Sequence, residues 1–76
     1  MKEYLTKENK EALEAELKEL TTVKRKEIIS AIEYAKSLGD LSENAEYQEA
    51  RDLQAATEER IRRLEASLEE KRRAQS

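Results

Sequence analysis

Apolar residues recur along this chain at spacings of three and four, in two runs divided by a single glycine. Leu13, Leu17 and Leu20 open the first run; Ile28, Ile32 and Ala35 continue it. The second run is Tyr47, Ala50, Gln54, Thr57, Ile61, Leu64 and Leu68. Alternating steps of three and four mark one face of an α-helix, and over several heptads they mark the a/d seam of a coiled coil. Polar Gln54 and Thr57 on that seam predict a middle that is not tightly hydrophobic. The stretch "TTVKRKE", Thr21 to Glu27, interrupts the first stripe. Two β-branched threonines followed by Lys24, Arg25 and Lys26 predict a bend or stutter there, either within one long helix or between two consecutive ones.

The punctuation between the stripes is equally informative. Residues 1–6 form a lead-in, with Thr6 as the expected N-cap of the first helix. Gly39 is the expected αL stop at its end, since glycine carries no Cβ to penalise positive φ. The pattern places the first helix at about 7–38, the tip at 39–43 and the second helix at about 43–73, with the tail "EEKRRAQS" fraying. On the second helix Glu58, Glu59 and Glu69 each stand four residues before Arg62, Arg63 and Arg73, the favourable order for helix ion pairs. Two apolar stripes joined by a tight turn bury each other, so the predicted fold is all-α: an antiparallel two-helix coiled-coil hairpin. At ~1.5 Å rise per residue its arms make a rod roughly 45 Å long.

Composition narrows the function classes. Charged residues make up 43% of the 76, and there is no Cys, His, Pro, Trp or Phe. That balance suits long helices rather than a large core. Without Cys or His the usual zinc ligands and the imidazole base are missing, so any metal has to be a hard cation on carboxylates. The net charge of −3 argues against independent nucleic-acid binding. No apolar run is long enough to span a bilayer and no signal peptide is evident, which makes a cytoplasmic protein the expectation.

Chemistry concentrates at the bend, "LGDLSENAEY", Leu38 to Tyr47, where Asp40, Glu43 and Glu46 lie with no basic residue between Lys36 and Arg51. One reading is purely local. Asp40-Leu41-Ser42-Glu43 matches a capping box, in which Asp40 accepts from the Glu43 N–H and Glu43 reaches back, while Ser42 offers a competing N-cap. The other is that a rigid rod presents the two carboxylates as metal ligands to a partner's active site, having no pocket of its own. Ser42 and Asn44 either orient those carboxylates or cap the helix, and Tyr47 reads as a seam residue.

The motif "GDLSENAEY", followed by Ala50-Arg51 and Gln54 and later "RIRRLEASL", resembles the N-terminal coiled-coil domain of the Gre transcript-cleavage factors, GreA and GreB. The likeness begins near "LTKE" (Leu5 to Glu8), runs through "LEAELKEL" and "VKRKEIISAIEYAK", and covers nearly the whole chain. The tip motif is specific; the heptads alone are not. The resemblance implies a hairpin that enters the secondary channel of bacterial RNA polymerase and stimulates cleavage of backtracked nascent RNA by the polymerase itself, rather than an enzyme in its own right. Asp40 and Glu43 would help hold a catalytic Mg²⁺ shared with the polymerase and not bound by the free chain. Gly39, Leu41, Ser42 and Asn44 would support them, and Lys36 and Arg51 would contact the 3′ segment of the extruded RNA, against a plainer reading as solvated charge. Asn9, Lys26 and "AATEER" (Ala55 to Arg60) stand where the family often has Gly, Pro and an aromatic-plus-glycine pattern. The family's second, FKBP-like domain is expected to fall outside this chain. Two further readings remain: a Gre-like module that occupies the channel and modulates or inhibits without promoting cleavage, and a structural coiled coil whose tip acids only cap a helix.

Overall fold

The computed structural model describes residues 7–75, so the N-cap expected at Thr6 lies outside the described residues. The chain forms helix α1 (Lys7–Glu19), a π-turn (Leu20–Lys24), helix α2 (Arg25–Ser37), a short 3₁₀ turn (Leu41–Glu43) and helix α3 (Ala45–Gln75). The all-α hairpin holds. It measures 51 × 18 × 17 Å, a rod two helices thick. Among the described residues no helix is long and apolar enough to cross a membrane.

The irregularity expected at "TTVKRKE" is a π-turn inside one continuous helical arm, and its cause is arithmetic. Leu13, Leu17 and Leu20 set a phase whose next seam positions are Lys24, Glu27 and Ala31, none of them a large apolar side chain. Ile28, Ile32 and Ala35 fall into phase only if one residue is absorbed, about 100° of rotation. A π-turn does this by closing its hydrogen bond over five residues instead of four. Here the Arg25 N–H donates to the Leu20 carbonyl. The two threonines at its start bond back to the preceding turn. The Thr21 hydroxyl donates to the carbonyl of Leu17 at 2.9 Å, and the Thr22 hydroxyl to that of Lys18 at 2.6 Å. Their hydroxyls are thus satisfied within the arm.

Rephased, the seam closes. Ile28, Ile32, Ala35, Ala50, Ile61 and Leu64 are buried, Tyr47 packs against the Ile28–Ile32–Ala50 cluster, and Thr57 is buried among them. Burying a side chain such as Ile61 or Leu64 stabilises by about 1.5–3 kcal/mol. Leu17, expected in the seam, is only half-buried: among the described residues α1 packs on α3 alone. The seam also runs further than expected. Lys71, three residues beyond Leu68, is buried, and α3 continues to Gln75 rather than fraying from Glu69 or ending near 73.

Ion pairs hold the arms in register on both sides of the seam. Arg25 Nε and Nη2 donate to the Glu58 carboxylate at 2.8 and 2.7 Å, and Arg60 makes the same fork to Glu16 at 2.7 and 2.7 Å. The Glu58–Arg62 pair expected along the helix does not form, because Glu58 turns across the hairpin to the planar fork of Arg25. Glu59 and Glu69 pair along α3 as expected, with Arg63 and Arg73, and each also takes the arginine three residues on. The Arg25 and Arg60 guanidiniums hold the Glu58 and Glu16 carboxyls below the usual glutamate range. All four side chains are more than a third exposed, so solvent screens each bridge and it serves alignment more than stability.

The phase argument makes a prediction. Deleting Thr22 removes the surplus residue and lets one regular helix carry both apolar runs. Its melting temperature should stay within a few degrees of the parent, about 1 kcal/mol or less. Deleting Glu33, also exposed but in the regular part of α2, throws Ala35 and the tip out of phase and should lower it much further. Circular-dichroism melts of the two deletions decide it; equal damage from both would contradict the phase account.

Candidate functional site at the hairpin tip

The first arm ends at Leu38, which still has helical dihedrals (φ −83°, ψ −12°) and donates its N–H to the Ala35 carbonyl. Gly39 then takes φ +134°. This is not the αL stop expected, whose φ lies near +57°, but a more extended positive-φ conformation that side chains disfavour. A Cβ placed there would meet nothing within 4 Å, so backbone conformation rather than crowding demands the glycine.

Asp40 opens the return. Its Oδ1 accepts from the Ser42 N–H and from the Ser42 hydroxyl, both at 2.9 Å. The Glu43 N–H is spent on the backbone carbonyl of Asp40, at 3.4 Å, rather than on its side chain. The expected capping box therefore does not form. The 3₁₀ turn of Leu41–Glu43 brings the Ser42 amide, not that of Glu43, to the carboxylate. Among the described residues, nothing hydrogen-bonds or ion-pairs the Glu43 carboxylate. The two Ser42 donors, the backbone N–H foremost, hold the Asp40 carboxyl below its ordinary value, so it is anionic at neutral pH.

Asn44, not Asp40 or Glu43, caps α3. With φ −100° and ψ 101° it stands outside the helix, which starts at Ala45 rather than near 43. Its carbonyl accepts the first helical bond from Gln48, and its Oδ1 accepts from the Tyr47 N–H at 3.0 Å, the N-cap geometry. The other end of the same amide donates from Nδ2 to the Ala35 carbonyl at 2.6 Å. One side chain thus satisfies an orphan donor at the start of α3 and adds a second hydrogen bond to the Ala35 carbonyl, which already accepts from the Leu38 N–H. The choice left open in the sequence is resolved: Ser42 orients a carboxylate, and Asn44 caps a helix and ties the two arms together.

These constraints place Asp40 and Glu43 exposed at the far end of the rod. With Leu38, Asn44, Ala45 and Glu46 they line an open hollow of about 330 Å³. Glu46 was legible as part of the acid cluster but not as a lining residue; its signal is the step of three from Glu43. Among the described residues, no group of three or more His, Cys, Asp or Glu is arranged to hold a metal ion. Leu41 is exposed at the apex. Lys36 and Arg51 are exposed on α2 and α3, each following a buried alanine, Ala35 and Ala50, by one residue. In antiparallel helices that step turns both to the same side of the rod.

If the amide carries the tip, Asn44→Ala should lower stability by about 1–2 kcal/mol, through the lost cap and the lost hydrogen bond to the Ala35 carbonyl. Asn44→Ser should recover the cap share only, since its hydroxyl accepts at an N-cap but is too short to reach Ala35. Denaturant melts of the three proteins test this; an alanine variant as stable as the parent would show that the bridge contributes nothing.

Comparison with known proteins covers both arms and the turn between them. A family model described as the N-terminal region of transcription elongation factors GreA and GreB matches residues 3–72. The chain is 57% identical over 65 residues to transcription elongation factor GreA of Geobacillus kaustophilus, covering 84% of this chain and 41% of that protein. It is 56% identical over 61 residues to GreA of Bacillus cytotoxicus, covering 80% and 39%, and 55% identical over 65 residues to GreA of Chloroflexus aurantiacus, covering 86% and 41%. No solved structure matches. The chain spans about two fifths of the length of these relatives. On the match over residues 3–72 and on these identities, the chain belongs to the GreA/GreB N-terminal family of transcription elongation factors.

Proposed function

We propose that this hairpin enters the secondary channel of bacterial RNA polymerase and stimulates the polymerase's own cleavage of backtracked nascent RNA. The observation that carries the reading is the presentation of two carboxylates, Asp40 and Glu43, exposed at the end of a rod 51 Å long and no more than 18 Å across. A helical hairpin needs no such display for its own stability, because Asn44 already caps α3. The rod has the reach to deliver chemistry into a buried site and no pocket in which to perform it alone.

The donor set fits a shared hard cation. Mg²⁺ keeps several waters and is commonly held by one or two protein carboxylates. Asp40 and Glu43 would be those two, with the remaining protein ligands coming from the polymerase. Bound there, the cation supplies a water of lowered pKa and neutralises charge on the scissile phosphate. The chain's own residues do the rest. Ser42 fixes the Asp40 carboxylate through two hydrogen bonds and keeps it ionised. Glu43, with no partner among the described residues, is left to bind outward. Lys36 and Arg51, on one side of the rod, would meet phosphates of the extruded 3′ segment.

The structure sharpens the choice of variants. Asparagine at position 40 keeps an oxygen for the Ser42 amide but loses the charge. Gln at 43 disturbs no hydrogen bond. Asp40→Asn and Glu43→Gln should therefore melt like the parent and still bind core polymerase. At saturating hairpin they should reduce cleavage of a backtracked complex by on the order of tenfold or more. Parental cleavage by both would leave the carboxylates without a catalytic part. A parent that binds but never stimulates cleavage would make the hairpin a channel-occupying modulator.

A further inference from the structure

The rod has two unlike sides near its tip. Tyr34 and Glu49 each precede a buried seam alanine by one residue, where Lys36 and Arg51 each follow it. Steps of one residue in opposite senses turn about 200° apart on an α-helix, so these two pairs face opposite ways. The side opposite Lys36 and Arg51 carries a groove of about 260 Å³ lined by Ala31, Tyr34, Glu46, Glu49, Ala50 and Leu53. Tyr34 is 60% exposed and Leu53 43%. Leu38, 50% exposed, and Glu46 line the tip hollow, and Glu46 also lines the groove, so the two surfaces join.

Nothing in the fold accounts for this apolar surface. The seam buries the other described tyrosine, Tyr47, against the core, while Tyr34 stands open with a neighbouring leucine. Neither Glu46 nor Glu49 has an ion-pair partner among the described residues, whereas Glu58, Glu59 and Glu69 further along α3 do. An aromatic face beside two free carboxylates and an aliphatic side chain is the chemistry that recognises a cation on an apolar stem: the ring and the carboxylates attract the charge, and Leu53 and Ala31 cover the stem. The groove is smaller and more open than the roughly 300–1,000 Å³ of small-molecule pockets, which suits one or two side chains of a larger surface. Nucleic acid is disfavoured, since its phosphates would meet Glu46 and Glu49 with no basic residue lining the groove.

We infer that this groove docks a polypeptide segment of RNA polymerase that presents an arginine or lysine beside an apolar residue. The hairpin thereby lies in the channel with its acidic, apolar side on protein and its Lys36–Arg51 side towards RNA. The inference rests on the proposed function for the identity of the partner. It adds an orienting contact that the tip does not provide.

The test is binding, not cleavage, so its failure and the failure of the tip carboxylates are distinguishable. Labelled hairpin is titrated with core polymerase for the parent, Tyr34→Ser with Leu53→Ser, and Glu49→Lys. All three positions are exposed, so helicity and melting should match the parent. Both variants should raise the dissociation constant roughly tenfold or more. Parental affinity in either folded variant overturns the groove as a docking site. Should the double variant fail to fold, Glu49→Lys alone decides. Cross-linking of position 34 to RNA instead of protein, or a hairpin dimer in sedimentation that Tyr34→Ser dissolves, overturns the assigned occupant. A parent that does not bind polymerase overturns both this inference and the reading on which it rests.

Discussion

A single side-chain amide closes this hairpin. The bend brings the end of α2 beside the start of α3, where the Tyr47 N–H has no helical partner. Asn44 bonds both arms, accepting from the Tyr47 N–H and donating to the Ala35 carbonyl beside the Leu38 N–H that this carbonyl already accepts. Its neighbours depend on that bridge. Gly39 can take its positive φ because the chain must turn back at once, and Asp40 is free to spend its carboxylate on Ser42 because α3 is already capped. Glu43 is left with no structural task among the described residues. The exposure of both acids is thus a consequence of where the cap sits.

The rod behind the tip obeys a second constraint, the phase of its apolar stripe. Eight residues separate Leu20 from Ile28 where a heptad seam allows seven. The π-turn absorbs the surplus, and the hydroxyls of Thr21 and Thr22 bond back to the preceding turn. Without it Ile28, Ile32 and Ala35 would face solvent, and Ala35 is the residue whose carbonyl anchors Asn44. Tip geometry and mid-rod geometry are therefore linked along one helix. The ion pairs Arg25–Glu58 and Glu16–Arg60 bracket this linkage, one on each side of the seam.

Much of this was legible in the sequence, and the misses have physical reasons. The stripes and the lone glycine sufficed for the hairpin, because burying two apolar faces joined by a short turn leaves one solution. The interruption at Thr21 to Glu27 was visible as a break in period, though period alone does not distinguish a kink from a π-turn. The tip was harder. Asp40 to Glu43 has the letters of a capping box, but a 3₁₀ turn shifts every donor by one position, so Ser42 takes the place of Glu43 and Asn44 takes over the cap. Glu58 illustrates the same limit: helix spacing offered Arg62, and tertiary contact supplied Arg25. Local rules name the groups that need partners; which partner wins is decided by the other arm. The groove at Tyr34 and Leu53 was not read from the sequence, since it joins residues of both arms that lie mostly beside the stripes rather than on them.

The central claim is that Asp40 and Glu43 complete a cation site that the polymerase alone holds weakly. The most direct measurement is the Mg²⁺ dependence of RNA cleavage in a backtracked complex, taken with and without saturating hairpin. Two added carboxylates should shift the half-saturating Mg²⁺ concentration to lower values, and Asp40→Asn at equal occupancy should abolish that shift. An unchanged Mg²⁺ dependence in the presence of parent hairpin, with cleavage nonetheless stimulated, would contradict the account.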